Sequence, residues 1–66
     1  MNVRDTEEMA DVEWAIGSAV RRLLARNAEI IPTNILAELT VLTTSHNPGE
    51  IEKITKAIAW IRARIN

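Results

Sequence analysis

Five isoleucines near the C-terminus, Ile51, Ile54, Ile58, Ile61 and Ile65, are separated by three, four, three and four residues. An α-helix turns about 100° per residue, so this spacing places all five on one stripe. A strand would scatter them over both faces. Asn47 can cap the start of this helix, Pro48 suits its first position, and Glu50 follows three residues after the cap. A helix over residues 48–65 is therefore expected. Its apolar stripe demands a partner surface.

The rest of the chain supplies helical faces and no alternating strand pattern. A helix is expected from about Thr6 to Asn27, with Met9, Val12, Ile16, Ala19 and Leu23 as its seam and Val20 beside it. Asp5 and Glu8 have the spacing of a capping box. Acids fill its first turns and Arg21, Arg22 and Arg26 its last, a polarity that complements the helix dipole. Residues 28–32 form a short connection. Thr33 is a candidate N-cap for a second helix over 33–43, whose buried face holds Ile35, Leu36, Leu39 and Leu42. The run Thr43-Thr44-Ser45-His46 breaks the pattern and reads as a loop. The expected fold class is all-α: one helical domain over residues 1–66, with a three-helix protomer that pairs as a helical dimer.

Size argues for that pairing. A chain of 66 residues buries only about 60% of the surface its unfolded form exposes. Chains below roughly 70–80 residues usually add disulfides, a metal or oligomerisation. This one has no cysteine and a single histidine, His46. Disulfides and thiolate- or histidine-based structural zinc are thus excluded, and a homodimer is the expected support. Hydrophobic residues make up 47% of the chain, too many for a disordered segment. No apolar run approaches the roughly 20 residues of a membrane span, and the polar, acidic N-terminus has no signal-peptide core. A cytoplasmic location without membrane association is expected.

No catalytic constellation is visible, so the expectation is that the chain is not an enzyme and needs no cofactor or metal. The glycines, Gly17 and Gly49, form no phosphate loop. Ser45 and His46 are adjacent in sequence, an arrangement that rarely makes a nucleophile and its base. Glu7 and Asp11 lie in dipole-favoured turns and read as a solvated face. Three short helices leave little room for a substrate pocket of about 300 Å³ or more.

The two tryptophans are more informative. On the wheel of the first helix, Trp14 lies nearly opposite the Ile16–Leu23 seam. It shares its side with Ala10, Gly17, Ser18, Arg21 and Ala25, with Leu24 at the edge. One large aromatic among small residues suits close approach of another helix. Trp14, Gly17, Arg21 and Leu24 are therefore the candidate dimer interface. The competing reading folds Trp14 over the edge of its own domain. Trp60 lies off the isoleucine stripe, with Lys56 and Arg64 four residues to either side. Either base could stack on the indole. Lys56, Trp60 and Arg64 are the candidate partner-binding patch, for a protein or a phosphate. The alternative is a core-edge tryptophan covered by aliphatic stems. The bases of the first and third helices could also meet DNA phosphates in a dimer. Against this, net charge is −1, the second helix carries no base, and no recognition-helix pattern follows a tight turn.

Ala15-Ile16-Gly17-Ser18-Ala19-Val20, then Leu23-Leu24, Ile31, Thr33-Asn34-Ile35-Leu36 and Leu39, precede a polar loop and Ile54-x-x-Ala57-Ile58-x-x-Ile61. This pattern, from Ala15 to Ile65, resembles the enterobacterial biofilm-development regulators of the YmgB/AriR type. The N-terminal lead here is shorter and more acidic than that family's. The resemblance implies a three-helix protomer that dimerises through its helices. It further implies a role in biofilm, acid-resistance or stress regulation, as a signalling connector to a phosphorelay, with direct DNA binding a proposed alternative. It transfers no binding residue position by position. The expected function is thus a small non-enzymatic regulatory protein acting by protein–protein interaction. The rivals are a DNA-associated transcriptional regulator and an antitoxin-like or phage accessory assembly module.

Overall fold

The structure, a computed structural model, describes the backbone of residues 3–65 and the side chains of residues 9–65. It contains three helices: α1 (Val3–Ala25), α2 (Pro32–Leu42) and α3 (Pro48–Ile65). Each helix packs against both others. Among the described residues there is no strand.

The helix limits follow from local chemistry. α3 begins where the sequence places it: Asn47 Oδ1 accepts the Glu50 backbone N–H at 2.9 Å, and Pro48 occupies the first turn. α1 is already helical at Val3, three residues before the expected start. Asp5 therefore lies inside the helix rather than ahead of it, and the side chains of the expected capping box fall outside the described residues. α1 also stops at Ala25, two residues early. Asn27 adopts φ 57°, the left-handed conformation that asparagine tolerates better than most residues. The Ala28 N–H then donates to the Leu23 carbonyl at 2.9 Å, and the Asn27 N–H to that of Leu24 at 3.2 Å. These two bonds close a Schellman motif.

α2 begins one residue earlier than expected, and Thr33 is not its cap. Ile31 holds the capping position in extended conformation (φ −126°, ψ 156°) with no side-chain cap, and Pro32 opens the helix. A proline restricts the residue before it to extended backbone and needs no N–H acceptor at the first helical position. Asn34 instead ties the first turn to the connection, its Nδ2 donating to the Glu29 carbonyl at 2.9 Å. At the other end no base lies in the last turn. The hydroxyls of Thr43 and Thr44 donate to the carbonyls of Thr40 and Val41, and His46 Nδ1 lies 2.8 Å from the Leu42 carbonyl. The loop that the sequence marks as polar is therefore the C-terminal cap of α2.

The core holds Val12, Ala15 and Ala19 from α1, Leu39 and Leu42 from α2, and Ile54, Ala57 and Ile61 from α3. Leu23 is also fully buried. The isoleucine stripe is only partly the core face. Ile54 and Ile61 are buried, Ile51 and Ile58 are half-buried, and Ile65 is 44% exposed at the helix end. On α1, Ile16 is half-buried and Met9 exposed, while Ala15 has no exposure. Both helices are turned from their bulkiest stripes toward alanine, because small side chains let helix axes approach closely.

Candidate functional site

Lys56, Trp60 and Arg64 follow one another at helical spacing on α3, and the structure brings all three to a single open groove of about 610 Å³. Met9 and Val12 of α1 form its other wall, and Ala59 and Ala63 line its floor on α3. The groove exceeds the room expected of three short helices, although it is open to solvent along its length. The Arg64 guanidinium carbon lies 3.6 Å from the centroid of the Trp60 ring, and its Nη1 donates to the Trp60 carbonyl at 3.1 Å. Of the two bases flanking Trp60, Arg64 is thus the one that stacks. Lys56 turns instead to Asp11, Nζ to Oδ2 at 3.4 Å, and Lys53 approaches the same carboxylate at 3.9 Å. These are surface pairs and carry little net stability.

Trp60 is half-buried and packs against the core cluster. A second, wholly apolar groove of about 270 Å³ shares Trp60 and Arg64 with the first and continues to Ile16, Pro32, Ile35 and Ile65. The indole with its stacked guanidinium is therefore a ridge between two apolar hollows. Large side chains at the margins stay exposed, including Met9 and Ile65.

The four residues proposed for a dimer interface divide over the outer surface of α1. Gly17 faces open space, with no atom near the position a Cβ would take, and Leu24 is 60% exposed. Trp14 leans the other way. Its ring meets that of His46 edge-on at 6.2 Å, and Lys53 Nζ lies 5.7 Å from its centroid. Arg21 lines a third groove, of about 300 Å³, with Ser18, Arg22, Ala25, Leu42 and His46. Trp14 is still 40% exposed, so the fold of its own domain covers part of the ring only.

One residue escaped the sequence reading altogether. Glu38, the only charged residue of α2, is 1% exposed. Arg22 Nε donates to its Oε2 at 2.9 Å, and Arg26 Nη2 lies 2.5 Å from its Oε1. Both carboxylate oxygens are thereby satisfied. The signal was present: Ile35, Glu38, Leu39 and Leu42 have the spacing of a buried face, so the carboxylate stands on it. This clamp engages two of the three arginines at the end of α1, Arg22 through its Nε and Arg26 through its Nη2.

The Ser45–His46 pair offers no nucleophile and base. Ser45 Oγ is 3.4 Å from His46 Nδ1, whereas the Leu42 carbonyl is 2.8 Å from that nitrogen. A carbonyl can only accept, so Nδ1 carries the proton and cannot act as base toward Ser45. Among the described residues no group of three or more His, Cys, Asp or Glu side chains is placed to hold a metal ion, and no helix is long and apolar enough to cross a membrane. No protein-family model, curated protein or solved structure matches this chain, so its resemblance to the biofilm-development regulators rests on the residue pattern alone.

Proposed function

We propose that this chain is a small, non-enzymatic, cytoplasmic regulatory protein that acts by holding a segment of another protein in the α1–α3 groove. The observation that carries this reading is the convergence of Lys56, Trp60 and Arg64 on a groove otherwise lined by Met9, Val12, Ala59 and Ala63. Tryptophan and arginine are the residues most enriched at interface anchors. Here the arginine is already stacked in place, so little side-chain freedom is lost when a partner binds. The apolar lining selects an apolar segment, and the bases at the rim select an acidic group beside it. A connector role in stress or biofilm signalling, as the resemblance implies, would use such a surface.

Self-association belongs to the same proposal. Leu24 and Gly17 form the centre of a homodimer face on α1, with Trp14 and Arg21 at its margin. The test of partner binding is crosslinking capture with mass spectrometry, comparing the natural chain with Trp60→Ala and Lys56→Glu. A defined protein captured by the natural chain and lost from both variants supports the reading. Undiminished capture by both removes the groove from it. Duplex DNA bound tightly, and released steeply by salt, would put the transcriptional-regulator reading in its place. A stoichiometric toxin-like partner would favour the antitoxin-like module.

A further inference from the structure

The groove between the C-terminal half of α1 and the α2–α3 loop is independent of the Trp60 surface and differs from it in chemistry. Its lining residues, Ser18, Arg21, Arg22, Ala25, Leu42 and His46, include two guanidiniums and an imidazole and no acid. We propose that this groove binds a single phosphate monoester.

Three donors or potential donors line it, and two of them are held in place by contacts within the chain. Arg21 enters no ion pair among the described residues, whereas Arg22, Arg26, Lys53 and Lys56 each do. Arg22 is oriented by Glu38, which takes its Nε. The carboxylate is buried behind the groove and shared with Arg26, so the three groups together keep one net positive charge. His46 is fixed by its Nδ1 contact to the Leu42 carbonyl and by the edge of Trp14. That contact leaves Nε2 as the other functional atom of the ring. Unprotonated, it accepts the P–OH proton of a monoester monoanion; protonated, it donates to a phosphate oxygen. Guanidinium pairs suit a tetrahedral oxyanion, because their planar donors match its oxygens two at a time.

The same observations favour one phosphate over a polyanion. A volume of about 300 Å³ accommodates one phosphate group with the carbon chain attached to it. Among the described residues, Arg26, Lys53 and Lys56 do not extend the groove as free bases, because each is paired with an acid, Arg26 with Glu38 and both lysines with Asp11. The whole chain has net charge −1, which opposes a long nucleic-acid backbone. The ligand is thus a free small phosphomonoester or a phosphorylated side chain of a protein.

The test is an NMR titration of the full ¹⁵N-labelled chain with inorganic phosphate, at ionic strength held constant with chloride. The expected result is a saturable shift of the Trp14 indole N–H and of the backbone N–H groups of Arg21 and His46. Arg21→Gln, a change at an exposed residue, should weaken binding by about tenfold or more, the effect of losing a charge-assisted hydrogen bond. Arg62→Gln, on α3 away from the groove, should leave it unchanged. Arg22 is unsuitable for the test because its loss also breaks the Glu38 clamp. Glycerol phosphate and a phosphoserine peptide are then titrated in turn, and the tighter of the two names the source of the monoester. Shifts that do not saturate, that chloride alone reproduces, or that Arg62→Gln diminishes as much as Arg21→Gln would overturn the proposal.

Discussion

The two halves of α1 meet their neighbours in opposite ways. Toward the C-terminus, Arg22 and Arg26 reach over α2 and close on a carboxylate that is 1% exposed. Toward the N-terminus, Met9 and Val12 face α3 across an open apolar groove. Both regions combine charged and apolar side chains, yet only one is complete. At the clamp each carboxylate oxygen has its partner, and among the described residues no buried side-chain nitrogen or oxygen is left without one. At the groove no described side chain closes over the apolar surface, and the bases stand at its rim. A satisfied buried charge fixes how two helices sit. An uncovered apolar hollow beside a stacked arginine is surface still available to something else. The contrast is why Arg22 and Arg26 also serve the fold through Glu38, and why the tryptophan on α3 carries the functional proposal.

The strongest way to break this contrast is to strand the carboxylate. Replacing Arg22 and Arg26 together by methionine keeps much of their aliphatic packing and leaves Glu38 buried without a partner. Breaking a buried pair from one side costs about 3–5 kcal/mol, with the lower end expected here because both guanidiniums are more than half exposed. For a chain of this size that is a large share of total stability. The reverse change, Glu38→Met, should cost less than about 1 kcal/mol or stabilise, since well-packed apolar residues often replace a buried ion pair without loss. Urea unfolding of both variants reads the asymmetry. Equal and small effects would mean that the carboxylate is solvated and the clamp is not structural.

A second test concerns the phase of the core. Ile54→Ala should cost about 2–4 kcal/mol, as expected for a fully buried isoleucine, and Ile58→Ala about half as much, because that side chain is half-buried. Equal losses in thermal unfolding would restore the even isoleucine stripe that the spacing alone suggests. The existence and order of the helices were legible because periodicity and the Asn47-Pro48 start are local signals. The burial phase was not, because it depends on which small residues of two helices meet; Ala15 and Ala57 look unremarkable until α1 crosses α3. The same distinction holds for the candidate site. The alignment of Lys56, Trp60 and Arg64 follows from helical spacing. The opposite wall at Met9 and Val12, and the pairing of Lys56 with Asp11 across 45 residues, follow only from tertiary packing.

The groove should respond more in binding than in stability. Trp60→Ala removes a half-buried indole and its stacked guanidinium, so a loss of about 1–2 kcal/mol in unfolding free energy is expected. Partner capture should fall far more than that change explains. Lys56→Glu should leave stability within about 0.5 kcal/mol, as for most surface substitutions, while reversing the charge at the rim. If capture tracks stability in both variants, the groove is only a surface irregularity of the core.

The smallest effect expected is also the one that separates a bare helix face from an interface. Gly17 sits inside α1, and the position of its missing Cβ faces open space. Glycine in a helix interior is destabilising by about 0.5–1 kcal/mol relative to alanine, through backbone entropy. In dilute protein Gly17→Ala should therefore raise the unfolding free energy by that amount, since no described atom opposes the added methyl. Association changes the sign of the argument. If α1 packs against a second copy at Gly17, the methyl stands between two helices that the glycine lets approach, and dimerisation weakens. Sedimentation across a concentration series reads this directly. A variant more stable as a monomer and less dimeric than the natural chain places Gly17 in the interface. A gain in stability with unchanged association removes Gly17 from it, and association of Leu24→Glu would then show whether any of that face is used.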